Sequence, residues 1–193
     1  MAAAKHPTGQ GTVNPTPPIE QQLQSAGLEL LGTCMGLSLY TPGWRHGMAL
    51  LEDLTPREMD ALGALMPKVR AQAGQVLISE GDMGDWMLLL LDGTVDVTKK
   101  TGPGEASRLA VIKQGAAVGE MSMFDAAPRY ASCRAIETVD AGVLTRSTIA
   151  RLIEDHPAVG AKLLVKLTQM LAQRLRNTSN QLVRSKTLPQ LQG

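Results

Sequence analysis

Short apolar runs alternate with turns rich in glycine and aspartate through the middle of the chain. Runs such as VLI and WMLLLLD are separated by EGDMGD and DGT, and similar runs continue to residue 146. Short strands joined by glycine turns at roughly 8–12-residue spacing are typical of an antiparallel sandwich or barrel, whereas alternating strands and helices would indicate a parallel sheet. The pattern therefore predicts an antiparallel β body over residues 67–146.

A helix is predicted before the β body by its capping residues. In TPREMDALGALM, Thr55 can cap the helix, Pro56 suits its first position, and Glu58 completes a capping box. Apolar residues then recur at helical spacing on one face. We expect an N-terminal helical segment over residues 25–66.

After the β body the apolar spacing becomes helical again, and we predict a short helix followed by a long one over residues 147–185. The short helix lies in STIARLIEDHP, where the proline should end it. Because little chain remains to cover the apolar stripe of the long helix, we expect a homodimer through this helix; the alternative is that the β body covers the stripe. The stripe consists of Leu164, Leu167, Leu171, Leu175, Thr178 and Leu182.

The two ends of the chain have compositions that disfavour a packed structure. Residues 1–24 are rich in proline, glycine, threonine and glutamine, and they cannot bury enough apolar surface to offset the loss of chain entropy. We expect a disordered arm over residues 1–24 and a frayed tail over residues 186–193.

Charge and cysteine usage argue against several classes of protein. A formal net charge of +1 is weak support for a dedicated nucleic-acid binder, which usually carries a basic surplus. Cys34 and Cys133 lie far apart, form no CxxC motif and fit a reducing compartment, so we expect no metal site. No apolar run approaches the roughly 20 residues that span a bilayer, and the N-terminus lacks an apolar signal segment. We therefore expect a cytoplasmic protein without membrane contact.

The segment VGEMSMFDAAPRYASCRA is mostly small and apolar, yet it holds Glu120 and Arg129 nine positions apart. A carboxylate can accept hydrogen bonds from a sugar hydroxyl, and a guanidinium presents a planar fork that suits phosphate oxygens. Together they fit a phosphorylated ribose. The alternative is a structural ion pair between the two residues, and their spacing alone does not decide between these interpretations.

The same segment resembles the phosphate-binding cassette of the cyclic-nucleotide-binding domain family, in which GE is followed by a short apolar turn, PR and small residues. The preceding stretch GQVLISEGDMGDWMLLLLDGTVDV resembles the opening strands of that family, and QRLRNTSNQL is similar to the nucleotide-contacting part of the central helix in bacterial catabolite activators. The likeness spans roughly residues 45–183. It implies an α+β fold: an antiparallel β-roll of the double-stranded jelly-roll type, flanked by N-terminal helices and a long C-terminal helix.

The resemblance also implies which residues contact a ligand. Glu120 would bind the ribose 2′-hydroxyl, and Arg129 would bind the exocyclic oxygens of a cyclic phosphate. The purine would be reached from the long helix, unless the polar residues there form only a solvated face. The implied ligand contacts are Gly119, Glu120, Met121, Ser122, Arg129, Tyr130, Thr178 and Ser179.

Tyr130 departs from the family pattern, which has a small residue after the arginine. Its backbone N–H can still donate to phosphate, while its ring must lie either over the mouth of the pocket or under the cassette. We expect Tyr130 to influence which nucleotide binds.

The resemblance implies a non-enzymatic regulatory sensor of a cyclic mononucleotide, with cAMP as the leading ligand and no cofactor. Bacterial activators of this family continue into a DNA-binding domain, whereas about ten residues follow Leu182, so we expect no DNA contact and an output through an effector protein. One alternative is a protein interaction or dimerisation module that keeps the fold without binding a nucleotide. Catalysis has the least support, because Glu120 has no second acid, metal ligand set or nucleophile in a recognisable constellation.

Overall fold

The computed structural model describes residues 17–44 and 50–187. The helices in these residues are α1 (Ile19–Ser25), α2 (Pro56–Ala64), α3 (Glu120–Asp125), α4 (Arg146–Asp155) and α5 (Pro157–Thr187). The strands are β1 (Glu29–Thr33), β2 (Pro67–Ala71), β3 (Val76–Ile78), β4 (Trp86–Asp92), β5 (Thr94–Gly102), β6 (Glu105–Lys113), β7 (Ala117–Val118), β8 (Ser132–Ala135) and β9 (Val139–Thr145). Two short 3-10 turns, Leu37–Leu39 and Thr41–Gly43, lie between β1 and α2.

The strands form two antiparallel sheets. The first has the order β1-β2-β9-β4-β7, and the second has the order β3-β8-β5-β6. Apolar side chains from both sheets meet in one buried cluster, the inter-sheet core, which includes Val69 and Val143 from the first sheet and Val95 and Cys133 from the second. The predicted α+β fold, an antiparallel β-roll with a long C-terminal helix, is therefore confirmed.

Strand β4 explains why the run WMLLLLD is apolar throughout. Alternate residues of a strand point to opposite faces of a sheet. Leu88 and Leu90 belong to the inter-sheet core, while Met87, Leu89 and Leu91 belong to a second cluster, the helix-side core, which is formed with the helices. Because both faces of β4 are buried, its sequence shows no polar alternation.

The long helix α5 is anchored to the body along its first half. Leu163 and Leu167 are buried in the helix-side core, and Lys162 Nζ donates to both carboxylate oxygens of Glu58 in α2, at 2.8 and 2.9 Å. Leu175, further along the predicted stripe, is 69% exposed. The start of the stripe is therefore buried in the helix-side core, and the helix surface becomes exposed toward its end.

The prediction of a disordered arm over residues 1–24 is wrong for its last part. Residues 19–25 form α1, and the side chain of Leu23 is 0% exposed in the inter-sheet core. Composition was misleading here because Leu23, with Ile19 packed beside it against the same core, anchors a helix that is mostly polar. Residues 1–16 lie outside the described residues, as do residues 188–193 of the predicted tail.

The predicted helical segment over residues 25–66 is only partly helical. Its end forms α2, where Thr55 and Glu58 make the expected capping box. Residues 29–33 instead form β1, which pairs with β2 and adds an edge strand to the first sheet. The strand was hidden because Gly32 interrupts its short apolar run.

The substitution Leu23→Ala should lower the free energy of unfolding by about 2–5 kcal/mol, because it leaves a cavity in the inter-sheet core. The matched control is Gln24→Ala, since Gln24 is exposed on the same helix. Urea unfolding of the purified variants measures both changes. Equal and small effects of the two substitutions would show that α1 does not contribute to stability.

Candidate functional site

A cavity of about 400 Å³ opens between the second sheet, α3 and α5. Much of its wall is apolar and includes Ile78, Val97, Leu109, Ile112 and Val118. Facing this wall are the polar and charged side chains of Glu120, Ser122, Arg129, Arg174, Asn177 and Thr178. An apolar wall opposite a few convergent polar groups is typical of a small-ligand site.

Seven of the eight predicted ligand contacts line this cavity, and one does not. The start of α3 and the residue before it, the segment before β8, and α5 each contribute part of the lining. The seven lining residues are Gly119, Glu120, Met121, Ser122, Arg129, Tyr130 and Thr178. Ser179 is not among the lining residues, although it follows Thr178 directly on α5.

Gly119 allows the backbone to pass close to the site. Its φ is +84°, in the left-handed region that favours glycine. A Cβ atom at this position would lie 2.7 Å from Ile78 Cδ1 and 3.0 Å from Arg129 Nη1. Glycine is therefore required here for both the turn into α3 and the approach of the arginine.

Glu120 pairs with an arginine that the sequence analysis missed. Its carboxylate is 1% exposed and accepts a hydrogen bond from Arg174 Nη1, while Nη2 of the same guanidinium donates to the carbonyl oxygen of Ala117. Arg174 follows Leu167 by seven positions and Leu171 by three, so it falls on the inward stripe of α5. A charged residue on a buried helix face was the signal that could have identified it.

Arg129 is buried beside the same cavity without a carboxylate partner. It is 4% exposed; Nη1 donates to the carbonyl oxygen of Gly119 at 2.7 Å, and Nη2 is buried without a hydrogen-bond partner among the described residues. The guanidinium lies over the indole of Trp86, with 4.5 Å between Cζ and the ring centre. Burial lowers the pKa of Arg129 from its ordinary value. The predicted alternative, an ion pair between Glu120 and Arg129, is not formed.

The turn EGDMGD holds the backbone of Arg129 in place. The Arg129 N–H donates to the carbonyl oxygen of Asp82 at 2.8 Å, and the Gly81 N–H donates to the carbonyl oxygen of Arg129 at 2.9 Å. These two bonds fix where the side chain begins. The turn therefore helps to position Arg129, although none of its residues lines the cavity.

Tyr130 lies at the mouth of the cavity and is 55% exposed as a residue. Lys99 Nζ is 4.4 Å from the centre of the ring and donates to the Tyr130 carbonyl oxygen at 2.7 Å. Glu80 pairs with the same lysine at 2.9 Å. The ring is thus held at the mouth, which is one of the two positions expected for it.

Among the described residues, no cluster of histidine, cysteine and carboxylate side chains could hold a metal ion. Cys133 lines the cavity, but burial raises the pKa of its thiol to about 12, so the thiol stays protonated at neutral pH and is a poor nucleophile. Over the same residues, no helix combines the length and apolar character needed to cross a membrane.

Comparisons with known proteins agree with this geometry. The sequence model of the cyclic nucleotide-binding domain matches residues 68–156. The crystal structure of a cyclic nucleotide-binding domain from Methylobacillus flagellatus KT is 31% identical, covers 82% of this chain, is itself 89% covered and has a TM-score of 0.69. The chain belongs to the cyclic nucleotide-binding domain family. The catabolite activator protein of Thermus thermophilus is similar as well, at 28% identity and a TM-score of 0.65 over 72% of this chain and 63% of that one.

A sequence relative shows how the family domain is used in a longer protein. The CRP-like cAMP-activated global transcriptional regulator of Mycobacterium tuberculosis is 29% identical over 133 residues, which is 69% of this chain. The chain spans 58% of the length of that regulator. The family match over residues 68–156 includes Glu120 and Arg129, whereas Arg174 lies beyond its end. In this chain a residue outside the matched region therefore also lines the cavity.

The substitution Arg174→Met should destabilise the fold by about 1–3 kcal/mol, because it leaves the buried Glu120 carboxylate without its cation. The double variant Arg174→Met with Glu120→Gln should recover most of that loss, since no buried charge then remains unpaired. Urea unfolding of the two single variants and the double variant gives the coupling energy. Strictly additive effects would show that the pair contributes nothing to stability.

Proposed function

We propose that the chain is a non-enzymatic regulatory sensor that binds a cyclic mononucleotide, with cAMP as the first candidate, and relays binding through α5 to a partner protein. The relatives described above are regulators or cyclic nucleotide-binding domains, and the name of the M. tuberculosis protein states that it is activated by cAMP. The protonated Cys133 thiol in the cavity wall favours a binding role over nucleophilic catalysis by that residue.

The main support for this proposal is that Arg129 is buried and that its Nη2 has no hydrogen-bond partner among the described residues. A buried guanidinium with a donor that no described residue satisfies is costly unless an anion completes its hydrogen bonds. A cyclic phosphate offers two exocyclic oxygens to such a planar fork. Glu120 lies in the same cavity and can accept a hydrogen bond from a ribose hydroxyl.

The relay would start at Glu120, because its carboxylate already holds Arg174 of α5. A ribose hydroxyl that donates to Glu120 shares or displaces this contact, so the free energy of ligand binding depends on where α5 lies. Asn177 and Thr178 lie on the same helix and also line the cavity. Ligand contacts to both α3 and α5 would then shift the population of α5 positions.

A homodimer through α5 forms part of the proposal. Leu175 of α5 is exposed, and so are Met121 and Phe124 of α3, which belongs to the cavity wall. Exposed apolar side chains concentrated near a ligand site are a favourable surface for a second copy of the chain.

We place the protein in the cytoplasm, since both described cysteines are free thiols, and we expect no DNA or membrane contact.

The ligand is tested by calorimetry with cAMP, cGMP and cyclic di-GMP on the purified chain. Arg129→Ala should weaken the preferred nucleotide by about 30-fold to several thousandfold, because truncating one partner of a buried charge contact costs roughly 2–5 kcal/mol of binding. Glu120→Gln should cost less, since an amide oxygen still accepts from a hydroxyl. Arg151→Ala is the control, because this arginine is exposed on α4. Equal affinity of the Arg129→Ala and wild-type proteins would contradict the phosphate contact.

The dimer is tested by sedimentation with and without nucleotide. Leu175→Glu should shift the protein toward monomer, because it places a charge on the exposed apolar surface of α5. Ile153→Glu on α4 is a matched control on another exposed apolar side chain. A wild-type protein that stays monomeric at tens of micromolar under both conditions would contradict the dimer and leave nucleotide binding as a separate question.

A further inference from the structure

Helix α1 lies beside the site although it is outside the residues that the family model matches. The match begins at residue 68, and α1 spans Ile19–Ser25. Leu23 anchors α1 in the inter-sheet core, and the side chain of Gln22 contacts the first residue of β4. The position of α1 is therefore defined by specific contacts with the body.

The contact between α1 and β4 is a hydrogen bond to an indole. Trp86 Nε1 donates to Gln22 Oε1 at 3.1 Å, and the indole is buried. Gln22 Nε2 in turn donates to the carbonyl oxygen of Pro17 at 2.8 Å, which fixes the orientation of the amide. A buried indole needs a hydrogen-bond acceptor for its N–H, and here α1 provides it. Gln22 therefore satisfies the indole N–H of Trp86, whose ring also packs in the inter-sheet core.

The Trp86 ring in turn supports Arg129. The guanidinium lies over the indole, and a desolvated cation over the face of tryptophan is a favourable contact. Gly84 leaves the space for it, since a Cβ atom at Gly84 would lie 2.6 Å from Nη2. The guanidinium thus has one hydrogen bond, to Gly119, and is otherwise positioned by the ring beneath it and the gap at Gly84.

The side chain of Arg129 also borders a second cavity, which offers an alternative position for its guanidinium. This cavity, of about 650 Å³, lies under α1 and is lined by Gln22, Asp82, Trp86 and Arg129 among others. The negative charges of Asp85 and Asp82 act on Arg129, as does that of Glu120 in the nucleotide cavity. A guanidinium that lost its contact with the indole would be free to turn toward Asp82, which lines the second cavity.

We propose that α1 is a working part of the nucleotide site, in which Gln22 and Trp86 are positioning residues that hold Arg129 toward the phosphate. This inference rests on the proposed function for its ligand. Because coupling between two sites is reciprocal, nucleotide binding should also stabilise the docking of α1 on Trp86. Helix α1 would then respond to ligand binding through its contact with Trp86, independently of α5.

The first experiment needs no ligand. The sequence contains two tryptophans, so the indole N–H region of a nitrogen-15 NMR spectrum should hold two signals, and Trp44→Phe assigns them. Gln22→Met removes the acceptor at similar size and should shift the Trp86 signal, while Gln22→Glu retains an acceptor and should restore it. Arg129→Lys should shift the same signal, because lysine cannot stack as a planar fork. An unchanged Trp86 signal in Arg129→Lys would overturn the contact on which the inference depends.

The second experiment measures cAMP affinity. Gln22→Met should weaken binding about tenfold, Gln22→Glu should stay within about twofold of wild type, and Gln24→Met is the exposed control on the same helix. In an Arg129→Lys background, Gln22→Met should cost less than twofold, because the group that it positions is already altered. Unchanged affinity in Gln22→Met, or a tenfold loss that persists in the Arg129→Lys background, would overturn the proposal.

The substitution Gly84→Ala tests the position of the Arg129 guanidinium through its contact with residue 84. The added methyl group meets the Arg129 guanidinium and no other atom among its three nearest neighbours, so it should weaken cAMP binding and shift the Trp86 signal. Wild-type affinity in this variant would count against a fixed position for Arg129. If the wild-type protein binds no nucleotide at all, the proposed function fails, whereas the NMR experiment still decides whether α1 positions Arg129.

Discussion

Two opposite charges are buried in one short segment, and neither neutralises the other. Glu120 and Arg129 are each almost fully removed from solvent, and an unpaired buried ion costs several kcal/mol. The fold meets this constraint with partners from distant parts of the chain. Glu120 receives Arg174, 54 residues further on, while Arg129 receives the face of Trp86 and a single carbonyl oxygen. Residues of α5 and β4 therefore provide the partners of these two buried charges, in addition to their packing in the core.

The two attachments of α5 differ in strength and in kind. At its start, Leu163 and Leu167 are fully buried in the helix-side core, and burying such side chains contributes roughly 1.5–3 kcal/mol each. Further along, Arg174 is partly exposed and holds Glu120 through a charged contact that a polar ligand can replace. The start of the helix is thus fixed by packing that no small molecule competes with. Any ligand-dependent movement of α5 should pivot about its buried first turns and increase toward the end of the helix at Thr187.

Periodicity and turn chemistry were enough to predict the antiparallel β body and the capped helix at Thr55, because both depend on local sequence. Glu120 and Arg129 were predicted from the resemblance of one continuous segment to a phosphate-binding cassette, and both line the cavity. Arg174 was missed because its role depends on which face of α5 turns inward, although its spacing from Leu167 carried that information. Helix α1 could not be predicted from composition, because it depends on tertiary contacts: Leu23 and Ile19 pack against the inter-sheet core, and Gln22 accepts a hydrogen bond from the Trp86 indole.

Glu120 and Arg129 connect the cassette to opposite ends of the chain. Glu120 contacts α5 through Arg174, whereas Arg129 contacts α1 through Trp86 and Gln22. Under the proposed function, the phosphate and the ribose of one nucleotide therefore act on different helices. A ligand that offers only an anion would engage Arg129 and the α1 side and would leave the contact between Glu120 and Arg174 intact. A nucleotide engages both Arg129 and Glu120, so a response of α5 requires the sugar hydroxyl in addition to the negative charge. This requirement would distinguish a cyclic nucleotide from the more abundant free phosphate.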